Sequence, residues 1–190
     1  MLAIPNAMAT GLTKLHYDSK WLEYGFVDQP FLHEQVKQYE SGGDDNIEHY
    51  RYAAFRKLLE TSAIDDLTLD RYVELAGLDE DQTMAQAALG LLVRHKGLTG
   101  PQLSRMKMHR AFATTELQKI IEQTQLLREL DSCDVTEDVF ARCVSSGKDA
   151  VQRKLLGKSG ISPQQLAALK DHGVTRAIRN LAKEKLRTYR

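Results

Sequence analysis

Two cysteines, Cys133 and Cys143, are all that the 190 residues contain. With no CxxC or zinc-type spacing they supply neither a disulfide framework nor a redox motif. An excess of one charge is missing as well. The 26 basic side chains are matched by 26 acidic ones, so no global field draws the chain to a nucleic acid or an anionic membrane. No apolar run approaches the roughly 18 to 20 residues that a membrane span needs. The opening stretch MLAIPNAMATGL has neither the basic start nor the apolar length of a signal peptide. The expectation is a cytoplasmic protein with no membrane partner, folded as one domain over residues 1–190, with residues 1–14 as a flexible arm. Hydrophobic residues at 42% and charged residues at 27% suit a globular core.

Motifs that carry chemistry are also lacking. There is no GxSxG, no glycine-rich phosphate loop and no cysteine–histidine signature. The six histidines, at positions 16, 33, 49, 95, 109 and 172, make no HExxH, ExxH or EF-hand-like spacing. No catalytic residue, metal or cofactor is assigned. The chain is expected to act by binding, and an active site assembled from scattered residues is the remaining alternative.

What is present is helical spacing. No segment alternates apolar and polar residues for long, so strands are not expected. Four segments share one pattern: an aliphatic residue, then a hydroxyl residue, then apolar residues five and eight positions after the aliphatic one. They are Leu67-Thr68 with Tyr72 and Leu75, Leu98-Thr99 with Leu103 and Met106, Val135-Thr136 with Phe140 and Cys143, and Ile161-Ser162 with Leu166 and Leu169. A weaker copy begins at Val27-Asp28, with Leu32 in place and Gln35 last. Such a pattern marks a helix start, where the polar side chain accepts backbone N–H groups and the aliphatic residue staples onto the first turn. Thr99 with Gln102 and Ser162 with Gln165 have capping-box spacing, and Pro163 suits a first helical position.

A second helix is expected after each start, with Met84, Ala87, Ala88, Leu91 and Leu92 forming one apolar face and Val174, Ala177, Ile178, Leu181 and Ala182 another. The last two copies also pair Gly147 with Gly173 and Leu155 with Leu181, and glycine there suits a left-handed residue closing the first helix. The resulting expectation is an all-α chain, a short irregular α-solenoid of about five stacked helix pairs. This pattern resembles HEAT-like helical repeats, and that resemblance implies no function. Unequal intervals of 31, 37 and 26 residues between the four good starts keep an irregular helical bundle as the alternative.

Two surfaces are candidates for function. Nine of the thirteen aromatic residues fall between Tyr17 and Phe55, to cap the first repeat or to form a partner-binding patch of Trp21, Arg51, Tyr52 and Arg56. Arg51 falls on the apolar face of its helix, which predicts an internal salt bridge or a bound anion. The second candidate is basic: Arg105, Lys107 and Arg110 in one cluster, and Arg176, Arg179, Lys183 and Arg187 opposite the aliphatic stripe of the last helix. These are a solvated face or an anion-binding and nucleic-acid-binding surface. The acidic stretch from Glu60 to Asp81 beside the basic one from Gln82 to Thr115 suits a bipolar protein partner. The function expected is therefore that of a non-enzymatic protein-binding module, an adaptor or a toxin-neutralising immunity-type protein, with a groove lined by second helices. The alternative is a nucleic-acid-binding repeat protein, with or without an activity on nucleic acid.

Overall fold

The computed structural model describes residues 6–132 and 134–189, so residues 1–5 of the expected arm, Cys133 and Arg190 lie outside the described residues. Regular structure among the described residues is all helical. The helices are α1 (Asn6–Lys14), α2 (Lys20–Glu23), α3 (Gln29–Glu40), α4 (Ile47–Thr61), α5 (Asp66–Leu78), α6 (Gln82–Val93), α7 (Gly100–Met108), α8 (Thr115–Ser132), α9 (Glu137–Ser145), α10 (Asp149–Gly157), α11 (Pro163–His172) and α12 (Arg176–Thr188), with a 3-10 turn at Arg110–Phe112. Contacts gather the chain into two compact units, Met1–Leu117 and Gln118–Arg190.

Helix starts follow the pattern, with one shift of register. Asp28, Thr99, Thr136 and Ser162 each cap a helix by accepting a backbone N–H, and both expected capping boxes form. The second start is not at Thr68. Asp65 caps α5, accepting the Thr68 N–H, and Leu67 is 57% exposed. The staple there is Ile64, which is buried, and Leu69 and Tyr72 stand five and eight residues after it. The same rule is obeyed three residues earlier. Caps at 28, 65, 99, 136 and 162 then give intervals of 37, 34, 37 and 26. All ten side chains at the two inward offsets are buried, Gln35 included.

In the first unit, residues 6–14 of the expected arm are helical instead. Leu12 and Leu15 are buried, and a left-handed His16 (φ 56°) ends the helix while the Tyr17 N–H bonds the Leu12 carbonyl at 2.9 Å. The apolar side chains need cover, and α3 supplies it against Gly11. A chain of rings runs through this core: Tyr17 to Trp21 at 5.4 Å, Trp21 to Phe55 at 4.6 Å and Phe55 to Tyr72 at 4.7 Å between centroids. Second helices α4 and α6 pack on each other. The face expected for α6 is wider than its spacing implied: Ala85, Leu89, Gly90 and Val93 join Met84, Ala88 and Leu92, while Ala87 is exposed.

In the second unit, α9 packs on α11 and α10 on α12 around Leu126, Phe140, Leu155, Leu169 and Ile178. The buried amide of Gln152 ties three segments together, donating to the Cys143 and Val144 carbonyls and accepting the Val174 N–H. Gly147 and Gly173 do occupy equivalent places, but the left-handed expectation fails, since Gly173 has φ −55°. Close approach is the reason for glycine there. A Cβ would sit 2.2 Å from the Cys143 carbonyl oxygen at position 147 and 2.6 Å from that of Leu169 at position 173. Val174 and Ala177, expected inside, are exposed, and α12 buries Ile178 and Ala182.

Candidate functional site

Each expected site residue now has a place. Trp21 is 1% exposed in the ring chain, which removes it as a partner contact because a partner cannot reach it. Arg51 is buried, with a hydrogen bond from each of its three guanidinium nitrogens. Its Nε and Nη2 donate to the two Asp79 carboxylate oxygens at 2.8 and 3.0 Å, and Nη1 donates to the Leu15 carbonyl at 3.1 Å. The internal salt bridge is therefore what forms, tying α1, α4 and the end of α5 together. Tyr52 is half-buried, and Arg56 is exposed, 3.5 Å from Glu60 one turn along. These four residues do not make one surface.

Beside Arg51 lies a cavity of about 430 Å³ lined by His16, Asp45, Glu48, Glu80 and Asp81 among others. It is acidic, the opposite of an anion site. At its margin, the Asp44 carboxylate lies 2.7 Å from His49 Nδ1 and pulls the His49 pKa above its ordinary 6.5. The Asn46 backbone N–H, followed by His49, holds Asp44 below its own ordinary value. The protonated imidazole is the form the fold favours, so this contact contributes fully below about pH 6.5 and is lost as pH rises through the raised folded value. An NMR titration should place the His49 midpoint above 6.5, and Asp44→Asn should bring it back. A midpoint at or below 6.5 in the native protein would contradict the pairing.

A second concavity of the first unit, about 490 Å³, lies between α5, α7 and the 3-10 turn. These are first helices and not the second helices expected. The capped start of α7 aims its turns at α5, and Gln102 fastens the two by donating to the Ile64 carbonyl at 3.1 Å and to Asp66 at 3.0 Å. Val73, Leu78, Met106 and Phe112 make an apolar lining, with Leu78 46% exposed. One rim carries Asp70 and Glu74, and the other carries Arg105, His109 and Arg110. Glu74 is held by Lys20 and Tyr24, which keep its carboxyl below the usual range.

The basic cluster is split by these contacts. Arg105 is spoken for by Asp70 at 3.1 Å and Asp66 at 3.5 Å. Lys107 is exposed on α7, and Arg110 lines the groove with no ion pair among the described residues. On α12, Arg179 is half-buried and donates to the Gly173 carbonyl, while Arg176, Lys183 and Arg187 are exposed.

No thiol is poised for chemistry among the described residues. Cys143 is fully buried, and burial pushes its pKa up to about 11. No group of three or more histidine, cysteine, aspartate or glutamate side chains is placed to hold a metal ion among the described residues, and no helix of theirs is long and apolar enough to cross a membrane.

The described residues thus form an all-helical protein with capped helix starts and a groove of apolar lining between α5 and α7. Comparison with protein-family models, with curated proteins and with solved structures finds no match.

Proposed function

We propose that this chain is a non-enzymatic protein-binding module, of the adaptor or immunity type, built as a short irregular stack of helix pairs and holding its partner in the groove between α5 and α7. One observation carries the reading: a concavity of about 490 Å³ with an apolar lining and, on its rim, Arg110 without an ion pair among the described residues. Volumes of about 300–1,000 Å³ lined by apolar side chains with a few placed charges are where ligand groups bury most of their surface. Arg110 favours a segment that offers an apolar anchor with an acidic group beside it. The stacked reading draws support from recurrent contacts within each unit. Gln102 of α7 reaches back to the start of α5, and Gln165 of α11 to Glu137 at the start of α9, at 3.1 Å.

Gly77 gives a clean test, since it is exposed at the groove and a Cβ there meets nothing within 4 Å. Gly77→Phe should fill the groove without disturbing the core. In affinity capture from the native host, the partner should be retained by the wild type and by Arg56→Ala, and lost with Gly77→Phe and with Arg110→Glu. Undiminished capture by both groove variants would overturn the placement. Nucleic-acid binding is the second reading, and what favours it is Arg110 at the groove together with the exposed cations of α12, since Arg105 is paired with its aspartates.

A further inference from the structure

The core of the first unit leaves two leucines of one helix outside. On α5, Leu67 is 57% exposed and Leu78 46%. Ile64 fills the staple position that Leu67 would take, and Leu69, Tyr72, Leu75 and Ala76 form the buried face of the helix on its other side. With Met108 at the end of α7, these two are the exposed large hydrophobic side chains of the unit among its described residues. Apolar groups held out of a core in this way mark an interaction surface.

Eleven residues are close to three helical turns, so Leu67 and Leu78 stand within about 20° of one line along α5, about 16 Å apart. Between them come Arg71 and Glu74, each about 30° off that line and on opposite sides of it. Arg71 lies over the Tyr24 ring, 4.8 Å from its centroid, and has no ion pair among the described residues. Glu74 accepts from Lys20 at one carboxylate oxygen and from Tyr24 at the other, which leaves each oxygen a further lone pair.

Read backwards, the face Leu67, Arg71, Glu74, Leu78 is its own complement. Positions 67 and 78, and positions 71 and 74, are equidistant from the point between Tyr72 and Val73. An antiparallel copy sets leucine against leucine at both ends and arginine against glutamate twice in the middle, whereas a parallel copy in the same register sets each charge on its like. A two-fold interface requires such a match, since residue i meets j and j meets i, and a foreign partner does not require it.

We infer that α5 pairs with α5 of a second copy of this chain, antiparallel across a two-fold axis near Tyr72 and Val73, with Leu67 against Leu78 of the partner subunit and Arg71 against Glu74 of the partner subunit. The pairing does not rest on the groove reading, although Glu74 and Leu78 also line the groove. One helix face buries less than the roughly 1,200 Å² of a standard interface, so the association is reversible and grows with concentration.

The test is sedimentation equilibrium of the whole chain over a concentration series up to about 1 mM. The wild type should pass from 21.5 kDa toward twice that mass. Leu67→Glu and Leu78→Lys should each weaken self-association at least about tenfold, since the two-fold axis repeats every lost contact. Mixed in equal amounts the two variants should associate again, because the new acid of one copy meets the new base of the other while the remaining leucines stay paired. Val174→Lys removes an exposed apolar side chain from the second unit and should leave self-association as in the wild type. Circular dichroism checks that every variant remains helical, and Leu67→Ala/Leu78→Ala, which should also weaken the pairing, replaces a charged variant that fails to fold. A wild type that stays monomeric throughout, an equal loss with Val174→Lys, or a mixture that associates no better than its components would each overturn the inference.

Discussion

Arg51→Met should lower the free energy of unfolding by about 3–5 kcal/mol, because it strands a buried carboxylate instead of deleting a contact. The Asp79 side chain is only 3% exposed and turns both oxygens to the guanidinium. Without Arg51, one oxygen keeps the Asp81 backbone N–H at 2.9 Å and the other loses the donor the structure gives it. The Leu15 carbonyl loses its guanidinium partner in the same step, so the anchoring of α1 to α4 loosens. Adding Asp79→Asn should recover part of the loss, since the amide is neutral and still accepts from Asp81. Urea unfolding of wild type, Arg51→Met, Asp79→Asn and the double variant reads both terms from one cycle. A cost under about 1 kcal/mol for Arg51→Met would show that the pair is worth no more than a surface bridge.

The helix starts were legible because capping chemistry is local: a short oxygen-bearing side chain, a preceding aliphatic residue and inward positions on one face. The single slip, Leu67-Thr68 for Ile64-Asp65, has the same origin. A shift of three residues stays on the same helical face, and Tyr72 satisfies either register. What separates them is that Asp65 accepts the Thr68 N–H at 2.7 Å while Leu67 faces solvent. The equivalence of Gly147 and Gly173 was legible, but its cause was not. A carbonyl 2.2 to 2.6 Å from a would-be Cβ belongs to the packed turn and leaves no mark in composition.

Surfaces were the least legible part, for an electrostatic reason. A run of basic residues looks the same in sequence whether or not carboxylates from another helix meet it. Arg105 is met by Asp66 and Asp70, and Arg176, Lys183 and Arg187 are met by no carboxylate among the described residues. The groove between α5 and α7 was missed because its lining comes from two first helices, whereas second helices were expected to line it. The opposition of the acidic run containing Asp70 and Glu74 to the basic run containing Arg105 and Arg110 was legible, but not that the two runs face each other across one concavity.

Trp21→Ala should cost about 3–5 kcal/mol, the range for emptying the site of a large buried ring. Trp21 is among the largest fully buried side chains, with its ring edge-on to Tyr17 at 85° and to Phe55 at 71°. It sits in a four-residue helix, α2, too short to hold its own shape, so the ring is what fixes α2 to the core. Trp21→Phe retains most of the packing and should cost roughly half as much or less. Tyr52→Ala, at a half-buried position, should cost less than Trp21→Ala. This ordering bears directly on partner binding. If Trp21 acts only through the fold, Trp21→Phe captures the partner as the wild type does, and Trp21→Ala loses it in step with its loss of helicity. Fluorescence of this sole tryptophan should be blue-shifted in the native state and move to the red through the same urea transition. A Trp21→Ala variant of native stability that no longer holds its partner would return Trp21 to the interface, and the ring chain from Tyr17 to Tyr72 would lose its standing as the core of the first unit.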